Sequence, residues 1–253
     1  MASFQNQVVV ITGSGGGLGR ATALAFAKEG AKVMVSDIVE EGGHETVALI
    51  QKAGGTAAFY KANVAHYHQV DKLISVTVEH FGRLDIAVNN AGIGGGQMAR
   101  LADISLVDYQ KTIDVNLSGV FYCMQTEIRQ MLAQGGGKIV NVASVAGLRP
   151  LPNASVYSAT KHAVVGLTKT AALEYARKNI RINAVCPVFT HSAMVQSMFD
   201  QAPELEQKLV KTIPMGRYGQ PEDVAQAVLW LCSEQNSFLT GHALPIDGGS
   251  AAV

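Results

Sequence analysis

Short apolar runs alternate along this chain with stretches in which apolar residues recur every three or four positions. The runs Val8–Ile11, Lys32–Ser36, Thr56–Tyr60, Asp85–Asn89, Lys138–Ala143, Arg181–Cys186 and Leu244–Asp247 are brief and rich in β-branched residues. Most are apolar at successive positions, the pattern of strands covered on both faces. The stretches Leu18–Glu29, Glu40–Ala53, Gln69–Phe81, Leu106–Ala133, Ser155–Lys178 and Pro221–Ser233 carry helical spacing. The last opens with Pro221-Glu222-Asp223 after Gln220, and Pro in the first turn followed by acids is a helix-start signal. This alternation predicts an α/β fold, a doubly wound sheet of about seven parallel strands with right-handed crossovers and helices on both faces. No linker, low-complexity tract or repeat divides the chain, so residues 1–253 are expected to form one domain. Residues 187 to about 219 break the rhythm: they hold no strand pattern, and Pro187, Pro203 and Pro214 interrupt the helical one. An irregular segment of that length predicts a lid.

Composition narrows the function. Lys+Arg and Asp+Glu both total 20 in 253 residues, which argues against a partner bound through a phosphate backbone, so no nucleic acid is expected. The first apolar run, Val8–Ile11, is too short for a secretory leader, and no run approaches the ~18 apolar residues of a membrane span. Cys123, Cys186 and Cys232 are far apart and odd in number, so they are expected to be reduced thiols of a cytoplasmic protein. His66 and His68 have no other ligand nearby, and no metal site is expected. Gly accounts for 26 residues, an excess that position must explain.

The first strand runs directly into Thr12-Gly13-Ser14-Gly15-Gly16-Gly17-Leu18-Gly19-Arg20 and then a helix. A Gly-rich turn between strand and helix lets the backbone approach a pyrophosphate, and the helix dipole favours the negative charge there. The position of this loop in a βαβ unit makes it a dinucleotide-binding candidate. Asp37 ends the second strand, eighteen positions after Gly19. An acid so placed can bond the adenosine ribose hydroxyls and would repel a 2′-phosphate, so NAD is expected in preference to NADP.

Tyr157-Ser-Ala-Thr-Lys161 puts a phenol and an ammonium four apart, on one helix face. Ser144 ends the strand before that helix, where such sheets place their ligands. Asn89-Asn90-Ala91-Gly92 ends the preceding strand. Asn116 lies inside a long helical pattern together with Gly119, two poor helix formers that suggest a functional reason. In this combination the chain resembles the classical short-chain dehydrogenase/reductase family over essentially its whole length. The matching pieces are Thr12-Gly13-x-x-x-Gly17-x-Gly19, Asn89-Asn90-Ala91-Gly92, Asn116, Ser144, Tyr157-x-x-x-Lys161, Asn183-Ala-Val-Cys-Pro187 and Thr240-Gly241 with Asp247-Gly248-Gly249.

The resemblance implies a Rossmann-like fold and hydride transfer between an alcohol carbon and a nicotinamide. The chemistry can be argued from residue types. A free phenol, with a pKa of about 10, is a poor base at neutral pH. A nearby ammonium favours phenolate, so Lys161 is expected to tune Tyr157 as the general acid/base. Ser144 is expected to hydrogen-bond the substrate oxygen. The resemblance further implies that Lys161 holds the nicotinamide ribose, Asn116 positions a water, Asn90 lines the cofactor cleft and Thr190 contacts the nicotinamide amide. It also implies a homotetramer built on the helices around Leu106–Ala133 and Ser155–Lys178.

Two positions depart from the family pattern. Asn63-Val64 stands where many relatives have Asp-Val near the adenine, and an amide can still donate and accept there. Val188 follows Pro187 where Pro-Gly is usual, which should stiffen that turn and narrow the space near the nicotinamide. The lid carries Val188, Phe189, Met194, Met198, Phe199 and Met215. Gly94-Gly95-Gly96 leaves room, and Leu151 and Pro152 precede Tyr157. Such a lining suits a small hydrophobic secondary alcohol or its ketone. Two alternatives stand beside this reading. A 3-oxoacyl-carrier-protein reductase would want a basic patch, for which Arg100, Arg129 and Arg149 are scattered candidates. A non-catalytic nucleotide-sensing protein would be free to lose Tyr157, Lys161 or Ser144.

Overall fold

The computed structural model describes residues 4–96, 98–191, 195–196 and 203–252. The strands are β1 (Val8–Thr12), β2 (Lys32–Asp37), β3 (Thr56–Lys61), β4 (Ile86–Asn89), β5 (Gly137–Val142), β6 (Ile180–Pro187) and β7 (Ala243–Ile246). They form one parallel sheet in the order β3-β2-β1-β4-β5-β6-β7. The helices are α1 (Gly17–Lys28), α2 (Glu40–Lys52), α3 (Tyr67–Phe81), α4 (Leu106–Ile113), α5 (Gly119–Gln134), α6 (Ser155–Tyr175), α7 (Pro203–Val210) and α8 (Pro221–Cys232).

Successive strand residues serve opposite faces of the sheet. Val9 and Ile11 of β1, Val33 and Val35 of β2 and Ile86 and Val88 of β4 pack with Phe26 of α1, Ile50 of α2 and Val228 of α8. Val10, Met34 and Ala87, one residue out of step on the same strands, pack with Leu73 of α3, Met124 and Ile128 of α5 and Val164 of α6. Because both faces are covered, the strands are continuous apolar runs. Truncating one of their fully buried members, Ile11 or Ile86, would cost about 2–5 kcal/mol. The start of α8 is the expected one: the Gln220 backbone N–H donates to Oδ2 of Asp223 at 2.8 Å.

Two expectations change. The helical stretch Leu106–Ala133 is not uniform, because Asp114–Ser118 form a π turn between α4 and α5. The segment from 187 to 219 is not wholly irregular: Pro203 opens α7 instead of breaking a helix, since its missing N–H costs nothing in a first turn. Thr190 bridges Gly219. Met194, Met198 and Phe199 lie outside the described residues. Among the described residues, no helix is long and apolar enough to cross a membrane.

Strand order reverses between β1 and β4. A crevice opens at such a switch point, outside the carboxyl ends of the strands. The residues singled out in the sequence lie around it.

Candidate active site

The glycine loop is held from below. Asn90, just past β4, donates through Nδ2 to Thr12 O at 3.0 Å and Gly13 O at 2.8 Å, while its backbone N–H and that of Ala91 donate to Thr12 Oγ1. Gly13 has φ +64, and a Cβ there would stand 2.8 Å from Ala91 Cα. A Cβ on Gly19 would stand 2.2 Å from Gly13 O. Gly16, by contrast, has nothing within 4 Å of a Cβ, so the rim of the loop is open. Gly17 has φ +49 and Leu18 packs against the core, and no side chain caps the α1 N-terminus. Its free N–H groups are an anion site in the making.

Asp37 borders this loop. Its Oδ2 accepts from Gly15 N at 2.8 Å and its Oδ1 from Val39 N at 2.9 Å. An ionised carboxylate offers about four acceptor positions, so capacity remains for ribose hydroxyls. Ser14 is fully buried, its hydroxyl donating to Ile11 O and accepting from Ser36 N at 3.0 Å, so it joins β1 to β2. Asn63 spends its Oδ1 on Ala65 N at 3.1 Å. Val64 is buried and packs so closely on α5 that a Cβ at Gly119 would fall 2.8 Å from its Cγ2. Gly119 is therefore small for packing and not for chemistry.

Ser144, Tyr157 and Lys161 converge. Ser144 follows β5, is buried, and takes a hydrogen bond from Ala146 N at 3.1 Å. Lys161, one helical turn after Tyr157, donates from Nζ to Val142 O at 2.8 Å, and that nitrogen lies 5.6 Å from the Tyr157 ring centroid. Burial lowers the ammonium's pKa to about 8. Burial also raises the Tyr157 phenol above its ordinary value, against a hydrogen bond with Ser144 that lowers it. In the ligand-free site desolvation is the largest influence on Tyr157 and favours its protonated form. Cys186, at the end of β6, is coupled to both groups, and burial pushes its thiol up to about 11.

Asn116 sits in the π turn, fully buried. Its Oδ1 accepts from Ile93 N and its Nδ2 donates to Ile93 O, both at 2.8 Å. The side chain thus clamps the strand end next to Gly92, where a Cβ would stand 3.3 Å from Asn116 Oδ1 and 3.6 Å from Lys161 Nζ. π turns concentrate at functional sites, and this one aims an amide at a loop 23 residues away. At the far rim, Pro187 ends β6. Val188 is buried with Ile213 and Tyr218 at the base of the lid, and Val145 packs against the same cluster. Thr190 donates from Oγ1 to Val188 O at 2.9 Å. A small cavity beside Tyr157 is lined by Gly94, Gly95, Met98, Ile104 and Val156. Leu151 and Pro152 are not among its lining residues.

Sequence reading missed one buried cluster. Val120, Cys123, Met124, Ile128 and Met131 form the buried stripe of α5, and Glu127 falls on that stripe, a carboxyl where the period asks for an apolar residue. That misplacement was visible in the sequence.

The chain is similar to known dehydrogenases and reductases. A family model described as enoyl-(acyl carrier protein) reductase matches residues 13–251. A cyclohexanol dehydrogenase of Acinetobacter sp. (strain SE19) is 46% identical over 245 residues, spanning 97% of this chain and 95% of its own. The crystal structure of levodione reductase superposes with a TM-score of 0.96 at 38% identity, covering 99% of each chain. That of NAD+-bound xylitol dehydrogenase does so at 0.94 and 33%, covering 97% of this chain and 99% of that one. Other similar structures hold NADP.

Proposed function

Because the chain belongs to the short-chain dehydrogenase/reductase family of oxidoreductases, we propose that it interconverts a hydrophobic secondary alcohol and its ketone using NAD. The observation that carries the reading is the convergence of Ser144, Tyr157 and Lys161 beside the open glycine loop. A bound nicotinamide supplies the hydride acceptor or donor. The residues fit such a group: Gly16 is open, the α1 N-terminus is uncapped and Asp37 borders the loop with acceptors to spare. Gly13, Gly17, Leu18 and Gly19 would hold the pyrophosphate, Asn63 and Val64 the adenine side, and Asn90, Gly92, Pro187, Val188 and Thr190 the nicotinamide side.

Tyr157 carries the proton. As a protonated phenol it gives its proton to a carbonyl oxygen in reduction, and in the reverse direction it takes the proton from the alcohol. Ser144 donates to the same oxygen and stabilises its developing charge. Lys161, still mostly protonated at pH 7, holds a ribose hydroxyl and supplies the positive field that phenolate needs. Asn116 keeps Ile93 and Gly92 in line with them and sets a water for proton relay. Gly95, Met98, Ile104 and Val156, with Asn153, line the small cavity beside Tyr157 where the alicyclic or aryl group of the substrate would enter.

Initial rates with NAD+ and NADP+ on a panel of cyclic and aryl secondary alcohols test this reading. Wild type should prefer NAD+ by more than about ten-fold, and Asp37→Ser should erase most of that preference by removing the charge that opposes a 2′-phosphate. Preference of the wild type for NADP+ would overturn the role of Asp37. Binding without turnover of any alcohol or ketone would overturn the dehydrogenase itself.

The same reading makes the protein a cytoplasmic homotetramer. Leu106, Val107, Phe121, Leu132 and Leu173 are exposed on α4, α5 and α6, apolar side chains that a symmetric interface on these helices would cover. Light scattering should give the mass of four chains, and a monomer at micromolar concentration would refute the assembly.

A further inference from the structure

Beneath the cleft floor lies a polar network that the chemistry above does not use. Glu127 of α5 is fully buried, as are Asn141 of β5 and Thr168 of α6, and Asn89 at the end of β4 is nearly so. Asn89 Nδ2 donates to Glu127 Oε2 at 3.0 Å and to Asn141 Oδ1 at 2.9 Å. Asn141 Nδ2 in turn donates to Thr168 Oγ1 at 2.9 Å. Two acceptors are left over, Oδ1 of Asn89 and Oε1 of Glu127, both buried and both without a partner. They belong to the same amide and carboxyl groups that the Nδ2–Oε2 bond already joins. Two unpaired acceptors are costly, but one proton shared between them satisfies both.

We propose that Glu127 is a positioning residue acting as a neutral carboxylic acid: Oε1–H donates to Asn89 Oδ1 while Oε2 accepts from Asn89 Nδ2. The closed acid–amide pair fixes the end of β4. Asn89 immediately precedes Asn90, whose amide holds Thr12 and Gly13 of the glycine loop. Glu127 therefore sets the height of the loop from the far side of the sheet.

The surroundings favour the neutral form. Burial pushes the Glu127 pKa up to about 8, with only the Asn89 hydrogen bond acting the other way. The titratable neighbour coupled to it is Cys123, one turn earlier on α5, whose own thiol is raised well above its ordinary value by burial and then by Glu127. No charged group from β4, β5, α3 or α6 enters the Glu127 shift. A raised folded-state pKa means that the native protein keeps a proton which the unfolded chain has lost. Stability is then lost as pH rises from the ordinary carboxyl range toward the folded value.

Glu127→Gln and Glu127→Leu test the pair. Gln can donate to Oδ1 and accept from Nδ2 without titrating; Leu can do neither. The melting temperature of Glu127→Gln relative to wild type should climb by several degrees between pH 5 and pH 8, since only wild type pays for its proton. At pH 7 the Gln variant should keep nicotinamide-cofactor affinity within about two-fold, while Leu should weaken it about ten-fold. In wild-type infrared spectra a protonated carboxyl band should persist at pH 7 and vanish in either variant. A melting difference that is constant with pH, the absence of that band, or equal behaviour of Gln and Leu would each overturn the proposal. The affinity arm rests on the proposed dinucleotide site. The melting and infrared arms do not, so wild type that binds no cofactor would defeat the site while leaving the acid–amide pair to be judged on the other two.

Discussion

Tyr157→Phe should leave the fold and cofactor binding intact and lower kcat by about 10²- to 10⁴-fold, the range for losing a positioned general acid. The substitution removes one hydroxyl from a half-buried ring. The backbone bond from Thr160 Oγ1 to Tyr157 O and the Lys161 bond to Val142 O do not involve that hydroxyl. What disappears is the proton that burial keeps on the phenol in the ligand-free site. Ser144 can still donate to the substrate oxygen but cannot replace the transfer, because an alkyl hydroxyl is a far weaker acid than a phenol. The measurement is steady-state kinetics in both directions, alongside cofactor titration by fluorescence. A kcat within about ten-fold of wild type would move the acid/base role away from Tyr157.

Gly19→Ala should weaken cofactor binding by about a hundred-fold and destabilise the chain by about 1–3 kcal/mol, the usual cost of forcing atoms into a filled space. The added Cβ would fall 2.2 Å from Gly13 O, 2.8 Å from Gly13 C and 2.6 Å from Asn90 Nδ2. Two of those three atoms are backbone, so the loop itself must move. That movement strains the bonds from Asn90 to Thr12 O and Gly13 O, which set the shape of the pyrophosphate cradle. Gly16→Ala is the control, because its Cβ meets nothing within 4 Å and its backbone is extended. It should change stability by less than about 0.5 kcal/mol. Thermal unfolding and cofactor titration of both variants decide the matter, and equal behaviour of the two would remove the steric argument.

Much of this was legible in the chain. The seven strands read as short apolar runs because helices cover both faces of the sheet. Pro221 and Asp223 announced the start of α8 through local hydrogen bonding. The glycine loop, Asp37, Ser144 and the Tyr157–Lys161 pair stood out because their spacings carry a mechanism. Other features depended on partners far along the chain. The π turn exists beside a bond to Ile93, 23 residues earlier. Gly119 is small because Val64 presses on it. Ser14 turned inward to join two strands, and Val188 turned into the base of the lid.

The sequence by itself determined the seven parallel strands, most of the helices between them and the proposal for the reacting groups, since period, glycine freedom and functional-group chemistry are local properties. Only the tertiary structure decided the electrostatics. Burial raised Tyr157, lowered Lys161 to about 8 and raised Glu127 to about 8, because the cost of a charge depends on how much water surrounds it, and that is set by residues distant in sequence packed against the group.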